Sequence, residues 1–130
     1  MDRKQLIEYI AGEYDTDIEY LWESTPDCGI FRHKGNRKWF ALIMNIRRDR
    51  LGLEGEDKVD VLNLKCHPLM HGSLCSEEGI FPAYHMNKQQ WISVLLDGTV
   101  DSARIKAMLQ MSFELTDNPP RPKRKPKSKQ

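Results

Sequence analysis

Apolar residues Leu6, Ile7, Ile10 and Tyr14 recur at helical spacing, and Asp2 stands three residues before Gln5 as a capping-box pair. The pattern predicts a first helix ending near Gly12. The stretch from Asp15 to Asp27 is acidic and carries Tyr20, Trp22 and Pro26. It reads as an irregular segment whose aromatics pack down on the core. From Ile30 a period of two takes over: Ile30 to Lys34 and Arg37 to Ile46 flank Gly35-Asn36. A two-residue Gly-Asn loop suits a type II′ turn, with Gly35 supplying positive φ. That register sets Lys34 opposite Arg37, Arg32 opposite Trp39 and Ile30 opposite Ala41. It places Phe31, Phe40, Leu42, Met44 and Ile46 on one core-facing side, leaving the other side basic and aromatic at its tip.

Gly52 to Asp57 has the composition of a loop, and Val59 to Leu64 reads as a third strand. Pro68 suits the first turn of a short helix that runs to about Glu78 and stops at Gly79. Ile80 to Tyr84 and Trp91 to Leu96 are two further strands, joined by His85 to Gln90. Asp97-Gly98 turns the chain, and Asp101 caps a last helix with Ile105, Met108, Leu109 and Phe113 on one side, fading near Thr116. The order α-β-β-β-α-β-β-α predicts an α+β, two-layer domain over residues 1 to 117, an antiparallel sheet with helices.

At 130 residues and 39% hydrophobic, the chain supports one core and not two. No apolar run approaches the roughly 20 residues of a membrane helix, and Met1-Asp2-Arg3-Lys4-Gln5 does not lead into the apolar stretch of a signal peptide. A cytoplasmic protein without membrane contact is expected, its three cysteines reduced. The net charge of +1 hides an asymmetry: six of the 20 Lys and Arg residues lie in Pro119 to Gln130, leaving 14 against 19 acids, or −5, before them. Four prolines share that basic stretch with no apolar side chain to bury, so residues 118 to 130 are expected to be a disordered tail.

Several stretches carry a family resemblance. They are Phe31-Arg32-His33 leading through Asn36-Arg37-Lys38-Trp39-Phe40-Ala41-Leu42-Ile43, then Val59 to Cys66, then Gly79-Ile80-Phe81-Pro82-Ala83-Tyr84-His85-Met86-Asn87-Lys88 with Trp91. In that order they resemble the MmcQ/YjbR family, over residues 1 to about 117, and Trp22-Glu23 fits its early motif although Leu21 stands where proline is common. The resemblance implies the same α-β-β-β-α-β-β-α domain, grouped with the secretion-chaperone-like fold and compared with the CyaY-like arrangement. It also implies DNA binding, through a double-wing surface of hairpins. The region from Pro68 to Glu78 matches least, and the basic tail lies outside the shared domain.

The residues offer chemistry consistent with that implication. Arg32, Lys34, Arg37 and Lys38 crowd a tight turn with Trp39 on the same face; cations reach phosphates, and an indole packs on a sugar or an unstacked base. A solvated turn protecting a sheet edge is the alternative. His85, Asn87 and Lys88 make a second candidate contact loop, and Lys65, with Asn63, a further one; the same polar groups could equally satisfy nearby backbone. The tail adds a nonspecific electrostatic arm. Among Cys66, His67, His71 and Cys75, the last three follow at four-residue steps that share one face of a continuous helix and suit zinc, but Pro68 leaves the start of that helix open and no fourth ligand is evident, so no metal or cofactor is assigned. No phosphate loop, nucleophile elbow or zinc-protease motif is present, and catalysis is not expected. The competing expectation is a protein-interaction module, homodimeric or with another partner, in which Trp39 or Trp91 anchors the contact.

Overall fold

A computed structural model describes residues 1–84, 86–87 and 89–117. Asp2 caps α1 (Arg3–Tyr14) with a complete capping box, and Asp101 caps α3 (Ser102–Thr116) by accepting from the Ala103 amide. Between them run β1 (Glu19–Tyr20), β2 (Gly29–Arg32), β3 (Trp39–Arg47), β4 (Lys58–Lys65), α2 (Pro68–Cys75), β5 (Ile80–Pro82) and β6 (Trp91–Leu95), with a short 3-10 turn over Arg48–Leu51. The strands form one antiparallel sheet in the order β1-β2-β3-β4-β6-β5.

The expected order of elements holds, with one strand added. The segment read as irregular supplies β1, because Gly29 lets it approach: a Cβ there would collide with the Ile18 side chain. Its aromatics do not pack down as expected. Tyr20 remains 52% exposed and Trp22 37% exposed. α2 is also shorter than expected, ending at Cys75 with Ser76 as its cap, and Gly79 serves the following turn at φ +87.

The hairpin register needs a larger correction. Arg32 does face Trp39, but Ile30 pairs with Leu42 and not Ala41, because a bulge shifts the register between Phe31 and Arg32. One extra β3 residue lies in that step, so Phe40 and Ala41 both join the cluster of Phe31 and Ile43. Leu42, Met44 and Ile46 then belong to the opposite face, apart from Phe31 and Phe40.

All three helices cover one face. Leu6 and Ile10 of α1, Leu74 of α2, and Ile105, Met108 and Leu109 of α3 pack with Phe31, Ile43, Leu62, Leu64, Ile92 and Val94. The other face carries no helix. There the strands present Ile30, Leu42, Met44, Ile46, Val61 and Leu95, covered by side chains of connecting segments such as Leu51, Leu53, Tyr84 and Met86. Among the described residues no helix is long and apolar enough to cross a membrane.

Candidate nucleic-acid interface

The β2–β3 connection is a four-residue loop, not the expected two-residue turn. The His33 amide donates to the Lys38 carbonyl (2.9 Å) and the Arg37 amide to the His33 carbonyl (3.1 Å). The left-handed position falls on Arg37, at φ +66, and not on Gly35. The reason is tertiary. Asn36 Nδ2 donates to the Thr116 carbonyl (2.7 Å) while its Oδ1 accepts from the Lys38 amide (2.8 Å), so the loop is drawn onto the end of α3.

His33 makes a second tie at the same place. It is 5% exposed, its Nε2 lies 2.8 Å from Thr116 Oγ1 and its Nδ1 3.6 Å from the Asp117 carboxylate. Burial pushes the imidazole below its ordinary pKa, with Asp117 acting in the opposite direction. The last turn of α3 and the hairpin loop therefore form one tethered unit, and residue 118 follows directly from it.

The four cations of the hairpin divide into two classes. The Arg32 side chain is 19% exposed and forms a bidentate pair with Glu19 (2.9 and 2.8 Å), which holds the Glu19 carboxyl below its usual range. It staples β1 to β2. Lys34 meets Asp15 at 3.1 Å, but both groups are exposed and such a pair exchanges readily with solvent. Arg37 and Lys38 are exposed, and among the described residues no ion pair engages them.

Trp39 is half-buried on the helix-free face, where Trp22 meets it edge to face at 5.7 Å and 80°. The two indoles, with Cys28, Leu42, Met44 and Met86, line an open cavity of about 280 Å³. Lys65 lies directly across from Trp91 at the same end of the sheet, its amide held by Ser112 Oγ (2.9 Å). Asn63 has a structural position: fully buried, it accepts from Ser93 Oγ (2.6 Å) and donates to the Tyr84 carbonyl (3.2 Å). Asn87 is exposed, yet its side chain accepts from the Gln89 amide and its carbonyl from the Gln90 and Trp91 amides, so it shapes the turn into β6. The assignments to His85, Lys88 and residues 118–130 lie outside the described residues.

Sequence reasoning missed Trp22 and Met86 as cavity walls, and Arg50 and Lys58 beside an adjoining cavity. None sits in a periodic pattern pointing to that face. His67 is not on the helix with His71 and Cys75, because it is the cap of α2 and its Nδ1 accepts from the Leu69 amide (3.2 Å). Cys75 Sγ lies 3.8 Å from His71 Nε2, and among the described residues no group of three or more metal-ligating side chains is assembled.

Comparisons with known proteins agree with this architecture. The YjbR family model matches residues 13–115. The uncharacterised protein YyaQ of Bacillus subtilis is 39% identical over 116 residues, covering 89% of this chain and 98% of that protein. The uncharacterised protein YbdF of Escherichia coli is 27% identical, covering 75% and 71% respectively. A crystal structure of a Pseudomonas syringae protein superposes with a TM-score of 0.88 at 46% identity, covering 89% of this chain and 99% of that one. A Deinococcus radiodurans protein shares the fold at a TM-score of 0.62 and 21% identity, covering 84% of this chain and 76% of that one.

Proposed function

We propose that this chain, which belongs to the YjbR family, is a non-enzymatic, cytoplasmic DNA-binding protein. Its cationic end is the β2–β3 loop together with residues 118–130. The observation that carries the reading is the tether. Asn36 and His33 both bond Thr116, so the end of α3 lies against the loop that carries the exposed Arg37 and Lys38, and in the sequence Arg121, Lys123, Arg124, Lys125, Lys127 and Lys129 follow that helix end. A body with five excess acids gains no affinity for phosphate from net charge, and a cluster at one end supplies it locally. The thiols are not activated nucleophiles: all three cysteines are free, and burial raises each one's pKa.

The test is anisotropy of fluorescein-labelled DNA over a salt series, comparing the full chain, residues 1–117, and the double variant Arg37→Gly/Lys38→Ser. Binding that weakens in both altered forms, with a shallower salt dependence in each, is expected. Equal affinity for all three proteins would remove the cationic end from consideration.

A second reading is favoured by one separate feature. Tyr20, Leu21 and Trp22 stand exposed (52%, 44% and 37%) on and just beyond β1, a two-residue strand at the sheet edge. A strand this short offers little edge to pair with, but three adjacent exposed apolar side chains are a surface that a partner or a second copy covers. Sedimentation showing a dimer that Leu21→Asp dissolves, in protein without DNA affinity, selects this reading over the first.

A further inference from the structure

We infer that the helix-free face of the sheet is a single-strand site: the cavity walled by Trp22 and Trp39 takes one unstacked base against an indole, and the adjoining cavity beside Arg50 and Lys58 takes phosphates further along the strand. The inference rests on the nucleic-acid reading above and specifies the form of nucleic acid.

Shape comes first. Two open cavities, about 280 and 290 Å³, share Ser24, Thr25, Cys28 and Met44 as common walls. Together they follow β3 from Trp39 to Arg47, a run on the order of 25 Å at the rise of an extended strand. That trough is long for one small ligand and suits an extended polymer. Bases in a duplex are stacked and paired, so an indole-walled cleft set into a protein face admits only a base already free of its neighbours.

The two ends differ in chemistry. At the first, the edge-to-face contact leaves Trp22 37% exposed and Trp39 half-buried at the cavity mouth, so a flat ring can lie against an indole while Leu42 and Met86 exclude water. Indole stacking tolerates any base. At the second end stand Arg47, Arg50 and Lys58, with Asp27 the one acid in the lining. Arg47 is already engaged by Asp49 at 2.6 Å and Glu56 at 3.9 Å. Arg50 and Lys58 are exposed, and among the described residues no ion pair engages either. Lys58 and Arg50, the latter also in the field of Asp49, are the exposed cations in a body of net −5 that mark this end for an anionic backbone.

The experiment uses the full chain with fluorescein-labelled oligothymidylate of twelve nucleotides and a twelve-base-pair duplex, by anisotropy over a salt series. The single strand is expected to bind more tightly than the duplex. Trp22→Ala is expected to weaken single-strand binding about tenfold and leave duplex binding unchanged. Arg50→Ser/Lys58→Ser is expected to reduce the logarithmic salt slope for the single strand by about 1.4, two phosphates at about 0.7 each. Circular dichroism monitors folding, and the double variant alters only exposed side chains, so the inference stays testable should Trp22→Ala fold poorly. Unchanged single-strand affinity and slope in folded variants, with binding still dependent on Arg37, Lys38 and the tail, would overturn the trough while leaving DNA binding intact. Absence of binding to either form overturns both.

Discussion

The two faces of the sheet are built from similar strands and serve different ends. On the helix side Phe31, Ile43, Leu62, Leu64, Ile92 and Val94 are fully buried beneath Leu6, Ile10, Ile105 and Leu109. On the other side the strands carry Met44, Asn63, Lys65, Ser93 and Trp91, and two open cavities lie along β3 with Met44 as a shared wall. A helix buries a continuous apolar stripe, whereas connecting segments cover a surface only where individual side chains reach it. Stability is therefore concentrated on the helix side, and the helix-free side has room for a ligand.

The largest expected effect tests that contrast directly. Phe31→Ala should cost ~3–5 kcal/mol in urea unfolding, as a fully buried aromatic leaves a cavity between packed elements. Trp39→Ala, already half-exposed, should cost less than ~2 kcal/mol. Equal losses for the two would mean the faces do not differ in stability.

Next comes the polar network that holds the helix-free face together. Asn63 and Ser93 are both fully buried, and Ser93 Oγ also accepts from the Tyr84 amide at 3.1 Å. Asn63→Ala removes the acceptor of the Ser93 hydroxyl and should cost ~1–3 kcal/mol. Faster amide exchange near Tyr84 is its signature, and exchange accelerating equally in α1 would refute the local assignment.

At the hairpin tether the variable is pH. His33 is held below its ordinary pKa by burial, so below about 6.5 the unfolded chain binds the proton that the folded chain resists. Its stabilising contribution is present above that value and is lost as pH falls toward the lowered folded pKa. Thermal unfolding at pH 7.5 and 5.5 should show a drop that shrinks in His33→Gln. A drop of the same size in the variant places the sensitivity elsewhere.

The smallest effect concerns Arg37. In the left-handed region an arginine is disfavoured, so Arg37→Gly should raise stability by up to ~1 kcal/mol while Arg37→Ala leaves it near the original value. Both variants lose the charge equally. DNA affinity that falls alike in both, despite different stabilities, separates the role of the cation from that of the turn.

Much of the helix side is legible in the sequence. The capping pair Asp2 and Gln5, the cap Asp101, and the stripe of Ile105, Met108 and Leu109 are local signals, each decided within a few residues. The helix-free side was not readable in the same way. Trp39 and Lys65 stood out by residue type, but Arg32 turned out to be committed to Glu19, thirteen residues away, and Trp39 to Trp22, seventeen away in the sequence. Asn63 carries no mark distinguishing a buried network from a ligand contact.

The sequence by itself determined the order of the elements apart from β1, the α+β fold class, the family and the separation of a basic stretch from an acidic body, since these depend on local periodicity, motifs and composition. Only the tertiary structure decided the bulge that divides Phe40 from Leu42, the loop conformation imposed by Asn36 on Thr116, and which cations remain available. Those outcomes turn on pairings between residues far apart in the chain, and a pairing of that kind leaves no periodic trace in either partner's own neighbourhood.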